Sequence, residues 1–366
     1  MSPAASPRLP ATSFPPSGDA RVRRALLLLL VLPCIAACSH GLTVLCWNVE
    51  NLFDDVDDGT EFPEYDPGRG RWNGESFRLR VDTVAEAIRA AVPGGPDVLV
   101  LQEIENENAL RALAGVALKD LGYDWTAIVA KPNLPANVAV ASRVPIARVH
   151  SIGISAYGDN ELRDLLEVEI EREGRRLHVF DVHWKAKTGG ARATERWRIE
   201  AADKLGRRVR EILAADPAAD IVAAGDFNEN VDEWRRAGRA YPVALVPLDD
   251  LPPPELSAGS ILLADDPAEA GSRDGTLALY EPWMEIAESE RGSYCYQGGW
   301  ETVDHVLLSP GLFDDHGYRY RRGSFRVVRL PFLLAADGTP KRWSWRPGER
   351  GYSDHLPLLI TLDPAR

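Results

Sequence analysis

The chain has 366 residues, 45% hydrophobic and 27% charged, with 42 Lys and Arg against 55 Asp and Glu and a formal charge of −13. Those proportions describe a soluble globular protein long enough for one large domain or two ordinary ones. So acidic a balance excludes broad, non-specific nucleic-acid binding, which needs a basic footprint, and leaves room only for a local basic strip.

Residues 1–20, rich in Pro, Ser and Ala, read as an unstructured extension or a misplaced start. Arg21, Arg23 and Arg24 then precede the apolar run Ala25 to Leu32, followed by Ile35-Ala36-Ala37-Cys38. A basic region, a short apolar core and small residues before a cut predict an export signal, too short to span a bilayer as a mature helix. Ile-Ala-Ala-Cys resembles a bacterial lipobox, which would make Cys38 a lipidated first residue. Plain signal cleavage is the alternative, with Cys34 nearby. Loss of 1–37 removes Arg8, Arg21, Arg23, Arg24 and Asp19, leaving an even more acidic chain. Cys46 and Cys295 then remain. In an exported protein they could pair, but Cys46 lies in an apolar run beside Trp47, so two core thiols are expected.

Leu42 to Asn48 predicts a buried strand, and 54–76 an acidic, glycine-rich insertion. Phe77, Val81, Val84, Ile88 and Val92 follow helical spacing until Pro93-Gly94-Gly95-Pro96 stops them. Val98 to Leu101 is an apolar strand delivering Gln102 and Glu103. Asn108 to Leu121 predicts a weaker helix. Strands are expected at Trp125–Val129, Val138–Ser142, Leu165–Ile170 and Leu177–Val182, the last two joined by a hairpin at Glu173-Gly174-Arg175. Trp197, Ala201, Leu205, Val209 and Ile212 mark a long amphipathic helix, and Ile221–Ala224 another buried strand. Residues 232–282 read as loop and short helix. Tyr294–Gln297, Val303–Leu308, Phe325–Leu330 and Leu358–Leu362 supply the last strands. No repeat and no linker divides this stretch, and the pattern suggests two packed sheets flanked by helices.

Six fragments fall in order: Trp47-Asn48-Val49-Glu50-Asn51, Leu101-Gln102-Glu103, Asp181-Val182-His183-Trp184-Lys185, Gly225-Asp226-Phe227-Asn228, Val303-Asp304-His305-Val306 and Ser353-Asp354-His355-Leu356-Pro357. Most place a carboxylate, amide or imidazole at the end of an apolar run. Asn48, Glu103 and Asp354 offer the hard oxygens that Mg²⁺ takes. A carboxylate at Asp226 and an amide at Asn228 suit the orientation of a water and of a phosphoryl oxygen. Asp304 and His355 form an acid–imidazole pair. His183 ends its strand in the same manner. Arg163 could grip a phosphate, and Lys185, Lys187, Arg192 and Arg196 form the basic cluster nearest the motifs. Taken singly, each has a blander reading: Asx beside glycine builds turns, a lone strand-end histidine is commonly structural, and a charged cluster can be a solvated face. No Gly-x-Ser-x-Gly elbow, phosphate-cradling Gly-Lys-Ser/Thr loop or His-Glu-x-x-His occurs, and cysteines are too few for structural zinc.

From about Leu42 to Leu362 the chain resembles the endonuclease/exonuclease/phosphatase superfamily, which includes deoxyribonuclease I, abasic-site endonucleases, inositol polyphosphate 5-phosphatases and bacterial sphingomyelinases. The resemblance implies an α/β four-layer sandwich of two packed mixed sheets flanked by helices, with residues 38–366 as one catalytic domain. It implies a phosphoesterase dependent on Mg²⁺, with Mn²⁺ as a substitute. Glu103 would be the main metal ligand, with Asn48 and Asp354 nearby. Asp226 would align or deprotonate the attacking water, Asn228 and His183 would contact the phosphate, and Asp304 would orient His355. Arg163 occupies the place of a phosphate-contacting arginine in the deoxyribonuclease-like branch. That branch also gives the first histidine an acidic partner, where this chain offers only Asn137.

The substrate is left open. An exported, monomeric nuclease, anchored to a bacterial membrane through Cys38 or else periplasmic or secreted, is the leading expectation. It would use Lys185, Arg192 and the residues up to Arg198 along a nucleic-acid backbone. A membrane-proximal phospholipid or sphingomyelin phosphodiesterase is the alternative, hinted at by Trp343 and Trp345. A non-catalytic surface lipoprotein is the third reading.

Overall fold

The computed structural model describes residues 41–365 except 132, 156–160, 255–257, 274 and 345–348. The signal segment, Cys38 and Trp345 therefore lie outside the described residues, all of which belong to one unit, Ser39–Arg366. The chain opens with β1 (Leu42–Leu52), α1 (Gly74–Ala91), β2 (Val98–Ile104), α2 (Glu107–Arg111), β3 (Trp125–Val129), β4 (Asn137–Ser142) and β5 (Ile146–Ile152). Next come β6 (Leu165–Arg172), β7 (Arg175–His183), α3 (Ala191–Ala215), β8 (Ile221–Asp226) and α4 (Glu233–Arg236). Four short strands follow, β9 (Leu245–Pro247), β10 (Ile261–Ala264), β11 (Gly271–Arg273) and β12 (Thr276–Tyr280). The last are β13 (Tyr294–Tyr296), β14 (Gly299–Glu301), β15 (Asp304–Leu308), β16 (Tyr318–Tyr320), β17 (Arg326–Val327) and β18 (Leu358–Pro364).

Two large mixed sheets result. One runs β16-β18-β1-β2-β4-β3 with β17 beside β18, and the other β5-β6-β7-β8-β15-β12-β10-β9 with β11 beside β12. Each holds a parallel pair joined by a helical crossover: β1 and β2 through α1, β7 and β8 through α3. Parallel strands bring their carboxy ends to one edge. Asn48 is thus level with Gln102, and His183 with Asp226.

Side-chain alternation assigns the layers. Val44 and Cys46 of β1 and Val98 and Val100 of β2 enter the core between the sheets, with Val168, Val179 and Val222 opposite. Their neighbours Leu45, Trp47, Leu99 and Leu101 face the other way, onto Val81, Val84 and Ile88 of α1. Leu205, Val209 and Ile212 of α3 cover the second sheet. This is the expected four-layer sandwich.

Several local expectations change. The segment 232–282 contributes β9 to β12 to the second sheet; each has only three to five residues, too few for a period to show. The edge strand β5 is exposed over Ala147–Ser151 and carries no apolar run. Only Arg326–Val327 of the expected strand 325–330 pairs, while Tyr318–Tyr320 forms an unanticipated one. The weaker helix is α-helical only over Glu107–Arg111, then widens into a π-turn over Ala112–Ala117. Both cysteines are free. Cys46 is buried as expected, but Cys295, on the β13–β14 hairpin, is only half-buried.

Candidate active site

Where the parallel pairs end, the backbone turns through conformations that L-residues avoid. Glu50, Asn51 and Glu103 hold φ of 55°, 63° and 65°, and Asn228 holds 52°. Such strain persists where the surroundings over-determine it. The Asn51 amide donates to Glu103 Oε2 at 2.9 Å and the Glu50 amide to Asn48 Oδ1 at 3.0 Å. The buried Arg80 guanidinium donates to the carbonyls of Val49, Glu50 and Tyr352. A register shift between Gln102 and Ile104 breaks the alternation of β2 at Glu103. Gln102 keeps its inward position, donating to Asp181 Oδ1 at 2.7 Å across the sheets. Before Asp226, Gly225 is required: at φ 149° a Cβ there would meet the Val182 carbonyl oxygen at 2.0 Å.

Asp226 is the centre of the arrangement. Its Oδ2 lies 3.1 Å from Asn48 Nδ2, 3.5 Å from His183 Nε2 and 3.9 Å from His355 Nε2. Its Oδ1 accepts the Asn228 amide at 2.9 Å. Burial, only partly offset by His355, pushes its carboxyl up to about 7. The pairing of β15 with β8 sets Asp304 opposite Asp226. His355 Nδ1 meets Asp304 Oδ2 at 2.8 Å, and Asp304 also accepts the Ser293 hydroxyl. Burial alone would lower the His355 imidazole, but Asp304, Asp354 and Asp226 hold it well above its ordinary value. Tyr294 stacks on the ring at 4.6 Å between centroids. Ser353 Oγ ties both halves together, donating to the Asn48 carbonyl at 2.7 Å and accepting the His355 amide at 3.0 Å.

His183 differs from His355. Its Nδ1 is buried without a partner, and burial pushes the imidazole well below its usual range. Asn137 is no substitute: it donates to the Glu105 carbonyl and accepts from the Lys131 amide. Among the described residues His183 Nδ1 therefore has no acidic partner of the kind Asp304 gives His355.

The donor set fits a hard cation. Burial and the neighbouring Asp354 carboxylate raise Glu103, and a divalent ion would relieve that repulsion. The orientation of Asn48 departs from expectation. Its oxygen faces the Glu50 amide, while its nitrogen bridges Glu103 at 3.2 Å and Asp226 at 3.1 Å. In this orientation the Asn48 amide nitrogen orders the two carboxylates, and its oxygen accepts the Glu50 amide. Asp226, Asp304 and His355 also bring three donor atoms within 4.8 Å of one another, but the Asp304–His355 hydrogen bond already occupies a donor atom of each. Asp354 Oδ2 is paired with Arg342 at 3.1 Å, and Arg342 also reaches Glu50 at 3.1 Å.

The basic cluster is largely consumed within the protein. Arg198 is 0% exposed, clamped by Glu195 at 2.5 Å and Glu229 at 2.6 Å, and donates to the Lys185 carbonyl. Lys187 lines the cleft but pairs with Glu233 at 2.6 Å. The Arg192 guanidinium lies over the Tyr241 ring at 5.5 Å. Lys185 follows directly on the site; burial, with Arg163 and Arg198 nearby, lowers its amine. Arg163 donates to the Ala136 carbonyl and lies within the electrostatic reach of Glu103 and Asp226. Trp343 is buried with Phe53, Tyr65 and Trp72, which withdraws it as a membrane-inserting residue.

A cleft of about 690 Å³ opens onto Glu103, His183, Asp226, Asn228, Asp354 and His355, walled by residues 186–191 and by the β13–β14 hairpin. Ser293, Tyr294, Glu50 and Arg342 belong to this site without having been anticipated. Only Glu50, inside the first fragment, had a pointer in the sequence; Ser293 and Tyr294 lie about ten residues before β15 and Arg342 about ten before the last fragment.

Fold and site together define a class, the two-sheet α/β phosphoesterases. Residues 43–236 and 247–364 match the model of the Endonuclease/Exonuclease/phosphatase family, and the chain belongs to that family. Its fold is similar to TDP2 from Caenorhabditis elegans, with a TM-score of 0.53 and 15% identity over 88% of this chain and 74% of that one. It is also similar to beta toxin 275-280 from Staphylococcus aureus, with a TM-score of 0.50 and 16% identity over 87% of this chain and 99% of that one. At such identities the likeness concerns fold alone. No curated protein sequence matches the chain.

Proposed function

We propose that the protein is an exported, Mg²⁺-dependent phosphodiesterase that cleaves nucleic acid by in-line attack of water. The observation that carries the reading is the position of Asp226 Oδ2, shared by Asn48 and the two imidazoles within 3.9 Å. A carboxylate raised to about 7 by burial is suited to take a proton from water. An imidazolium at His355, held by Asp304, opposes the charge that develops on phosphorus oxygens. Neutral His183 and the Asn228 amide supply uncharged contacts to the same group. Glu103 and Asp354 would hold the metal, which supplies Lewis-acid polarisation of the phosphate.

Nucleic acid is favoured by the rim. Tyr296, 54% exposed on the hairpin that walls the cleft, presents a ring on which a base can stack. Of the two residues that hinted at a lipid substrate, Trp343 is packed in the interior and Trp345 lies outside the described residues. Export rests on the segment 21–37, and attachment through Cys38 rests on its lipobox-like context. The full chain is to be assayed with Mg²⁺ and Mn²⁺ against plasmid DNA, RNA and sphingomyelin. Hydrolysis of a polynucleotide, lost with a chelator and in Asp226→Ala, is the expected result. Inactivity on both polymers with phosphocholine release from sphingomyelin would replace this reading by the lipid one.

A further inference from the structure

A second carboxylate cluster lies beyond the strand ends, outside the cleft. Glu105 follows Glu103 by two residues, and the loop after β1 carries Asp54, Asp58 and Glu61. One donor atom each from Asp58, Glu61 and Glu105 lies within 4.8 Å of the others. Glu105 is only 3% exposed, and its Oε1 has no hydrogen-bond partner. Its Oε2 accepts the Asp54 amide at 2.6 Å, so the carboxylate is fixed in place with one oxygen uncommitted. Among the described residues no Lys, Arg or His forms an ion pair with Asp54, Asp58, Glu61 or Glu105. A buried carboxylate oxygen left unpaired beside two further acids is costly without a counter-charge.

We propose that Asp58, Glu61 and Glu105 bind a structural Ca²⁺ ion, separate from the catalytic metal. Oxygen-only donors on a surface loop suit the flexible coordination of Ca²⁺ better than the strict octahedron of Mg²⁺. The surrounding turn is already shaped: the Asp58 and Gly59 amides donate to Glu61, and Asn106 and Asn108 hold Asp54 through its Oδ2. The ion fastens the 54–61 loop to the end of β2. Asn51, whose amide holds Glu103, lies three residues before that loop. Trp72 donates to the Asp54 carbonyl and stands close enough to sensitise a lanthanide bound there.

The test uses the full-length protein and Ca²⁺ or Tb³⁺ as the probe. In Glu103→Gln, where the catalytic metal is weakened, Ca²⁺ at a hundredfold excess over its Kd is expected to raise Tm by about 5 °C. Tryptophan-sensitised Tb³⁺ emission should appear in the same variant and be displaced by Ca²⁺ before Mg²⁺. Both signals should vanish when Glu105→Gln is added. Because a buried substitution can disturb folding, Asp58→Asn on the exposed loop provides the control. It should keep the Ca²⁺-free Tm and weaken Ca²⁺ at least tenfold. Absence of a Ca²⁺-dependent shift in Glu103→Gln, or an undiminished shift in Asp58→Asn, overturns the assignment.

Discussion

His355 Nδ1 lies 2.8 Å from Asp304 Oδ2, in a pair separated by 51 residues and buried between two sheets. Asp304 reaches this position because β15 runs antiparallel to β8, which also sets it opposite Asp226. The carboxylate fixes the imidazole with Nε2 toward the cleft. Asp304→Asn is therefore expected to lower kcat by on the order of 10²–10³-fold while changing KM little. Single-turnover hydrolysis of a chromogenic phosphodiester checks it. A rate within about threefold of the parent would remove the pair from the chemistry.

Glu103 faces the cleft, held by the Asn51 amide and the Asn48 side chain. Glu103→Gln should raise the Mg²⁺ concentration for half-maximal activity roughly 10–100-fold. Titration of activity with metal reads this directly. An unchanged metal requirement would place the ion elsewhere.

Arg198 lies between Glu195 and Glu229 with no exposure. Arg198→Met leaves those two carboxylates facing each other without a cation. A loss of about 3–5 kcal/mol is expected in denaturant unfolding. The salt dependence of substrate binding should stay the same, because the guanidinium points inward. A reduced salt slope with normal stability would restore Arg198 to the binding surface.

Glu167 accepts two hydrogen bonds from Arg208 and one contact from His178. Burial alone would raise its carboxyl, but these partners bring it down to about 2. A folded-state pKa below the unfolded value of 4.5 contributes stability that is complete above pH 4.5 and lost as the pH falls toward 2. The loss amounts to about 2–3 kcal/mol. Urea midpoints across that window should fall more in the parent than in Glu167→Gln; parallel curves would refute the assignment.

Tyr296→Ala should weaken a single-stranded oligonucleotide by about 1–3 kcal/mol and leave hydrolysis of a small chromogenic diester unchanged. Equal losses on both substrates would show that the ring acts on the chemistry and not on a base.

The six motif fragments were legible in the chain because most of them set a side chain of the right chemistry at the end of an apolar run. A parallel pair then has to bring such ends together. Which side of β1 meets the second sheet was not legible, because the strand is apolar on both faces. The short strands β9 to β12 were not legible, since three to five residues carry no period.

The tertiary structure alone decided which charges remain available. Lys187 and Glu233 are 46 residues apart, and Arg342 and Glu50 are 292 apart. Local composition makes Lys187 and Arg198 look like parts of a binding strip, whereas folding spends both on buried acids. The Asn48 amide shows the same limit: its place at a strand end is local, but its orientation follows from Glu103, Asp226 and the Glu50 amide around it. Side-chain chemistry and strand patterning are local properties and can be read along the chain. Charge pairing and amide orientation depend on partners brought near only by packing, where desolvation makes an unpaired group too costly to leave.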